Sequence, residues 1–170
     1  DVCSSDLPMM HINNFQHEIT KNIPQDVMWG TNNSLVPLFH IEDPEAIELG
    51  QVVYSLGRCK PGMAVKEFDD WRSIYIAAPN VPAPVLRGIA RYAGVHLYNE
   101  AGDVLYATPN LLSVHTLSGG SRVFKLPECV EVVHDLYEDQ IVNQNTDQFE
   151  VTLQPSSTVL YYTGRKQTMP

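Results

Sequence analysis

The chain has 170 residues, 44% of them hydrophobic and 18% charged, which is enough apolar material for one core or two small ones. Its formal net charge of −9 argues against nucleic acid or an anionic membrane as a partner, because phosphate binding needs clustered Lys and Arg. No apolar run approaches the roughly 20 residues of a helical membrane span, and no basic segment followed by an apolar one marks a secretory signal at the start.

Residues 1–7, Asp-Val-Cys-Ser-Ser-Asp-Leu, form the heptapeptide that arises when a common sequencing-library adapter is translated in one frame. They read as adapter-derived, with the coding sequence truncated at about Pro8, and are set aside from fold reasoning. The native N-terminus then reads as missing, so the compartment stays open. Setting Cys3 aside leaves Cys59 and Cys129, too few and too isolated for a disulfide scaffold or a zinc site.

From Met10 to Leu49 the sequence is loop-rich, punctuated by Asn13, Asn14, Asn22, Pro24, Asn32, Asn33 and Pro37. Only Leu35 to Glu42 has a short strand pattern. Asp43-Pro44-Glu45 is expected to start a turn of helix, with Asp43 as N-cap and Pro44 at N1. A hairpin follows. Met63, Val65 and Glu67 share one side of a strand from Met63 to Phe68, and Ala64, Lys66 and Phe68 share the other. Asp69 and Asp70 make the turn, and Arg72 to Ala77 reads as a return strand packed on both faces.

Pro79, Pro82 and Pro84 end that strand, but proline is tolerated in a first helical turn, whose N–H groups lack partners anyway. A helix is expected from about Pro82 to Ala93. Its apolar face is assigned to Val85, Leu86, Ile89, Ala90 and Ala93, with Arg87 and Arg91 on the exposed side. Gly94 stops it as a left-handed C′ residue. Thereafter short strands come close together: 95–98, 104–106, 111–116, 122–126, 130–137, 148–153 and 158–163. Turn chemistry at Ala101-Gly102-Asp103, Ser118-Gly119-Gly120 and Gln154-Pro155-Ser156 joins them, as in an antiparallel sandwich or barrel.

Leu49-Gly50, Met63-Ala64-Val65-Lys66, Trp71-Arg72-Ser73-Ile74-Tyr75, Ala78-Pro79, Leu86-Arg87, Ala93-Gly94-Val95-His96 and Tyr98 together carry a resemblance. From about Pro37 to Tyr162 the chain resembles the C-terminal half of a β-galactosidase-like glycoside hydrolase of the family 42 type. In that family a catalytic (β/α)8 barrel is followed by a flavodoxin-like trimerisation domain and a small β-sandwich. The resemblance implies a mixed α+β chain: a partial flavodoxin-like α/β segment over residues 8–96, a small antiparallel β-sandwich over 97–164, and a tail over 165–170. It also places His17-Glu18-Ile19-Thr20 in a late loop of the flavodoxin-like domain. The implied partners are a parent catalytic barrel, further copies of the chain through the flavodoxin-like part, and carbohydrate.

A barrel needs upwards of about 200 residues, so neither catalytic carboxylate of the resembled family maps onto this chain. The adjacent pairs Asp69-Asp70 and Glu42-Asp43 point apart on a turn or strand and read as solvated. Class I glutamine amidotransferases share the flavodoxin-like architecture and use a Cys nucleophile with a later His-x-Glu. Here His40-Ile41-Glu42 precedes Cys59, and Pro61 replaces the glycine that a sharp nucleophile elbow favours. A zinc deaminase would need a Pro-Cys-x-x-Cys that is absent.

His11, His17, His40, His96, His115 and His134 show no metal-ligand spacing, so neither metal nor cofactor is expected. His96 and His115 read as structural imidazoles inside strands. Trp71, Tyr75, Tyr98 and Tyr106 are the candidate sugar-contacting residues, because pyranose faces pack on aromatic rings; core or interface packing explains the same residues. The expected function is a non-catalytic accessory and oligomerisation region of a carbohydrate-cleaving enzyme. The alternative is a stand-alone carbohydrate-binding or scaffold β-module. In isolation, the 63–77 hairpin is expected to expose an apolar patch.

Overall fold

A computed structural model of the protein describes residues 8–53 and 57–168. The adapter-derived reading of residues 1–7 lies outside the described residues. The chain divides after Val95 into two units. Each is built on one five-stranded sheet in which every strand pairs antiparallel with its neighbours.

The first unit contains β1 (Met9–Ile12), β2 (Met28–Gly30), β3 (Ile47–Val53), β4 (Cys59–Glu67), β5 (Arg72–Ile76) and helix α1 (Ala83–Tyr92), with strand order β2-β1-β3-β4-β5. Register aligns Trp29 with Met10, Met10 with Val52, Met63 with Ile76 and Val65 with Ile74. Because side chains alternate across a strand, these residues form an apolar row on one face. Ile19, Ile23, Val85, Ile89 and Tyr92 pack against that row, so α1 and the 15–27 loop cover the face. On the other face, the Ile41 N–H donates to the Pro61 carbonyl at 2.9 Å, the Tyr75 hydroxyl donates to the Phe39 carbonyl at 3.0 Å, and Lys66 bridges Asp43 and Glu45. The 39–45 segment is thereby tied across β4 and β5.

These findings overturn the flavodoxin-like reading of residues 8–96. A flavodoxin-like domain needs parallel strands joined through helices on both sheet faces. Here all paired strands are antiparallel, and among the described residues strand accounts for 48% and α1 is the only α-helix. A hairpin followed by a helix has the same local pattern as the end of an α/β domain. β1 and β2 lie in asparagine- and proline-rich surroundings that read as loop, and β3 begins where that loop-rich stretch ends.

Local expectations fared unevenly. Residues 35–42 form no strand, and Asp43-Pro44-Glu45 is a turn in which the Asp43 Oδ1 accepts from the Glu45 N–H at 2.9 Å. Residues 95–98 form no strand either. β5 is an edge strand with half-exposed side chains, not one packed on both faces. Nor does the 63–77 hairpin expose an apolar patch along its length. Met63, Ala64 and Val65 are buried within this chain, and the exposed large hydrophobic side chains are those of Phe68, Trp71 and Tyr75.

The helix ends as expected. Gly94 adopts a φ of 75°, its N–H donates to the Arg91 carbonyl, and the Val95 N–H donates to the Ala90 carbonyl at 2.9 Å. That pair of bonds is the Schellman closure that favours glycine at C′. The buried face is rotated from the expected one, however. Val85 and Gly88 are buried, whereas Leu86 is 52% exposed and Ala93 is exposed. Gly88 lets the helix backbone approach the 15–27 loop so closely that a β-carbon there would lie 2.0 Å from the Ile19 carbonyl oxygen.

The second unit contains β6 (Val104–Ala107), β7 (Leu111–Thr116), β8 (Gly120–Asp135), β9 (Gln140–Leu153) and β10 (Ser157–Gly164), ordered β6-β7-β10-β8-β9. The two strands expected at 122–126 and 130–137 are one long strand. Its ladder with β9 is interrupted between Lys125 and Val130, where β8 carries extra residues including Pro127. Proline lacks a ladder donor, and a bulge is where a strand accommodates it. Beyond the bulge, Phe124 and Phe149 from the β8–β9 hairpin fold over β10. Ring centroids are 5.2 Å apart for Phe124–Phe149 and 5.1 Å for Phe149–Tyr161. Leu112, Val114, Leu126, Val133 and Leu153 complete this core. The sandwich-like part of the expectation therefore holds in a modified form, as a sheet bent over itself. Residues 165–170, expected as a tail, include a 3-10 turn at Lys166–Thr168.

Candidate functional site

The tip of the β4–β5 hairpin gathers the most chemistry. Glu67 and Arg72 are the last paired residues, and the Phe68 N–H donates to the Trp71 carbonyl at 2.9 Å, leaving Asp69 and Asp70 at the apex. Phe68 and Trp71 stack in parallel, with centroids 4.0 Å apart and planes 4° apart. Lys66 Nζ lies 5.5 Å from the Phe68 centroid. Since Trp71 already occupies one face of Phe68 at stacking distance, the ammonium must sit on the other. The order is Lys66, Phe68, Trp71, and the outer indole face stands in water: Trp71 is 56% exposed and Phe68 41%.

The base of the tip is tied to the helix end. Tyr92 donates its hydroxyl to Glu67 Oε1, and Arg72 Nη1 donates to the Tyr92 carbonyl at 3.0 Å. The Arg72 guanidinium also lies 4.5 Å over the Tyr92 ring and 3.6 Å, through Nε, from Glu67. Such a cation at a helix C-terminus satisfies a carbonyl that has no intrahelical partner. Desolvation first, and then the bond to Glu67, holds the Tyr92 phenol above its ordinary value. His17 packs its ring edge-on against Tyr92 at 5.2 Å. Together Glu67, Phe68, Asp69, Asp70, Trp71, Arg72 and Ala93 line an open groove of about 560 Å³. Asp69 and Asp70 form no hydrogen bond or ion pair among the described residues.

The four aromatic candidates are divided between the units. Trp71 and Tyr75 belong to the first, Tyr98 and Tyr106 to the second. Tyr75 is engaged with the Phe39 carbonyl, and burial raises its phenol above the ordinary value. Tyr98 is half-buried against the second core and meets His96 edge-on at 4.8 Å, while Tyr106 is exposed on β6. Of the four, Trp71 alone has an aromatic stacking partner among the described residues. That partner, Phe68, was missed as a site residue, as were Arg72 and Tyr92. The legible signal was two aromatic residues bracketing a two-aspartate turn. The contribution of Tyr92 comes from 20 residues further along the chain and has no local signature.

The remaining sequence candidates have ordinary roles. His40 and Glu42 pair with each other at 2.9 Å on the surface. Cys59 is exposed at the start of β4, which is not a strand-to-helix elbow. His96 bonds the Lys125 carbonyl and His115 bonds Thr158 Oγ1, each at 2.9 Å. Among the described residues no group of three or more His, Cys, Asp or Glu could hold a metal ion. Elsewhere, Arg122 Nε meets Asp103 at 2.7 Å and Nη2 reaches Thr116 and Ser118. Both charged side chains are nearly buried, so this network is read as a brace between β8 and the 103–118 segment.

The fold these observations define is a pair of antiparallel sheet units, the first covered by a single helix. No protein-family model matches the chain, and no curated protein does. Among solved structures, it is similar to a β-galactosidase from Bacillus circulans sp. alkalophilus at a TM-score of 0.51 and 15% identity, over 93% of this chain. It is similar to a β-galactosidase from Rahnella sp. R3 at a TM-score of 0.51 and 9% identity, over 92% of this chain. In both cases the chain spans 22% of the larger protein. The chain thus has a fold like part of these β-galactosidases.

Proposed function

We propose that this chain is a non-catalytic accessory region of a carbohydrate-cleaving enzyme of β-galactosidase type, working beside a separate catalytic barrel. The observation that carries the reading is the superposition of nearly the whole chain on a 22% portion of two β-galactosidases. Glycoside hydrolysis needs two carboxyl groups across the scissile bond, with the acid held in a desolvated pocket. The three carboxylates that come together here, those of Glu67, Asp69 and Asp70, all stand in water at a hairpin tip, which supports a role other than catalysis.

The test has two arms. The purified 170-residue chain is assayed with nitrophenyl β-galactoside, and the coding sequence around it is recovered. Expected are no turnover above buffer and a (β/α)8 barrel in the same reading frame. Turnover that co-purifies with the chain, or flanking sequence without a glycoside hydrolase, would overturn the proposal. The second outcome would favour a stand-alone module, the reading to which the exposed Trp71 face also lends itself.

A further inference from the structure

The geometry points to the β4–β5 hairpin tip as a carbohydrate-binding site, in which the outer face of Trp71 stacks on the ring of a neutral sugar. A site of this kind needs a flat apolar surface held still, hydrogen-bond acceptors and a donor at its rim, and room for a small ligand. Each is present. The indole is held by Phe68 on its inner face, and Phe68 is backed in turn by Lys66, so the platform is ordered before a ligand arrives and little entropy is lost on binding. The exposed face is aromatic and the rim is polar, which matches a pyranose with C–H groups on its face and hydroxyls around its edge.

In the groove that Trp71 also lines, Asp69 and Asp70 present carboxylates with no partner among the described residues, and ionised carboxylates accept the strongest hydrogen bonds from hydroxyl groups. Arg72 supplies guanidinium N–H groups, held in place by Tyr92 and Glu67. The groove volume of about 560 Å³ lies within the range of small-molecule sites.

Charge narrows the ligand class. Three carboxylates against one guanidinium, on a chain of net charge −9, repel phosphates and acidic sugars. A cationic ligand would be drawn to the carboxylates and the indole but would meet Arg72 inside the same groove. A neutral hydroxyl-rich ligand uses the acceptors and the donor together. The inference rests on the hairpin geometry, not on the likeness to β-galactosidases, so the two proposals can fail separately.

The experiment titrates the purified chain with a panel of neutral β-linked oligosaccharides of galacto, gluco and manno configuration, by calorimetry and by tryptophan fluorescence. Trp29 is 5% exposed, so a ligand-induced emission change reports Trp71. Expected is saturable binding of at least one panel member. It should weaken about ten-fold or more in Trp71→Ala, as for an aromatic anchor, weaken less in Trp71→Phe, read by calorimetry, and weaken in Asp70→Asn. Circular dichroism confirms that each variant folds, and an exposed tip gives no reason for it not to. Three results would overturn the inference: no binding across the whole panel, binding indifferent to Trp71→Ala, or saturable binding of oligolysine in place of the sugars.

Discussion

Replacing Gly88 by alanine places a β-carbon 2.0 Å from the carbonyl oxygen of Ile19, a gap that must open by about 1 Å before it reaches the 3.0 Å below which such contacts are essentially never seen. The obstacle is backbone, and it has little freedom to yield. Ile19 and Thr20 are fully buried, and Thr20 Oγ1 donates to the Asn14 carbonyl at 2.6 Å, which fixes the turn. The helix must therefore move off the loop and loosen the packing of Val85 and Ile89. Overpacking of this kind costs about 1–3 kcal/mol, while alanine in a helix interior recovers up to about 1 kcal/mol relative to glycine. The net expectation is a loss of up to about 2 kcal/mol from the first unit.

Both tryptophans of the chain, Trp29 and Trp71, lie in that unit, so urea unfolding followed by tryptophan emission reads it without contribution from the second. Leu86→Ala is the companion measurement. If Leu86 belonged to the apolar face assigned from spacing alone, its truncation would cost about 2–5 kcal/mol. At 52% exposure, the expected cost is below about 0.5 kcal/mol. A stability of Gly88→Ala above wild type, or a Leu86→Ala loss of the larger size, would refute the packing described for α1.

Phe124→Ala should cost the second unit about 3–5 kcal/mol, read as faster amide exchange in β7, β8 and β10, because Phe124 is fully buried between Phe149 and Tyr161. The bond from Arg122 to Asp103 holds that carboxyl below the usual carboxylate range. Its contribution is therefore complete above the ordinary value near 3.8 and is lost as pH falls through the lower folded value. Asp103→Asn should lower stability by about 1–3 kcal/mol at neutral pH, and wild type and variant should converge in acid; a gap that persists below that range would count against the pairing. Burial, and then the charge of Asp135, raises the Tyr161 phenol to about 12. Because this folded value lies above the unfolded one near 10, the stabilisation holds below pH 10 and declines between 10 and 12. A spectrophotometric titration at 295 nm should show a late-ionising tyrosine that disappears in Tyr161→Phe.

How much was legible varies by element, and the reasons are physical. The hairpin from Met63 to Ile76, α1 with its Gly94 stop, and β7 were readable because alternation, proline placement and glycine chemistry act over a few residues, whereas the first four residues of β4 were not. The front half of β9 was not. Asn143, Asn145 and Asp147 have poor strand propensity, and this half of the strand forms because Val130 to Asp135 present a ladder to it. β1 and β2 are equally silent, being three or four residues each and paired across a long loop. The site shows the same division. Trp71 was visible as an exposed aromatic near a turn, but its pairing with Phe68 and its anchoring through Arg72 to Tyr92 depend on the hairpin meeting the helix end.

What the amino-acid order determined alone was local: where the chain turns, where the helix begins and ends, and that the protein is acidic. Only the tertiary structure decided that the first unit is antiparallel rather than flavodoxin-like, because strand direction is set by which distant segments pair. It alone decided which helix face is buried, because Gly88 has no side chain to announce a close contact. Propensity and periodicity act along the chain, whereas pairing and burial are settled by residues tens of positions away.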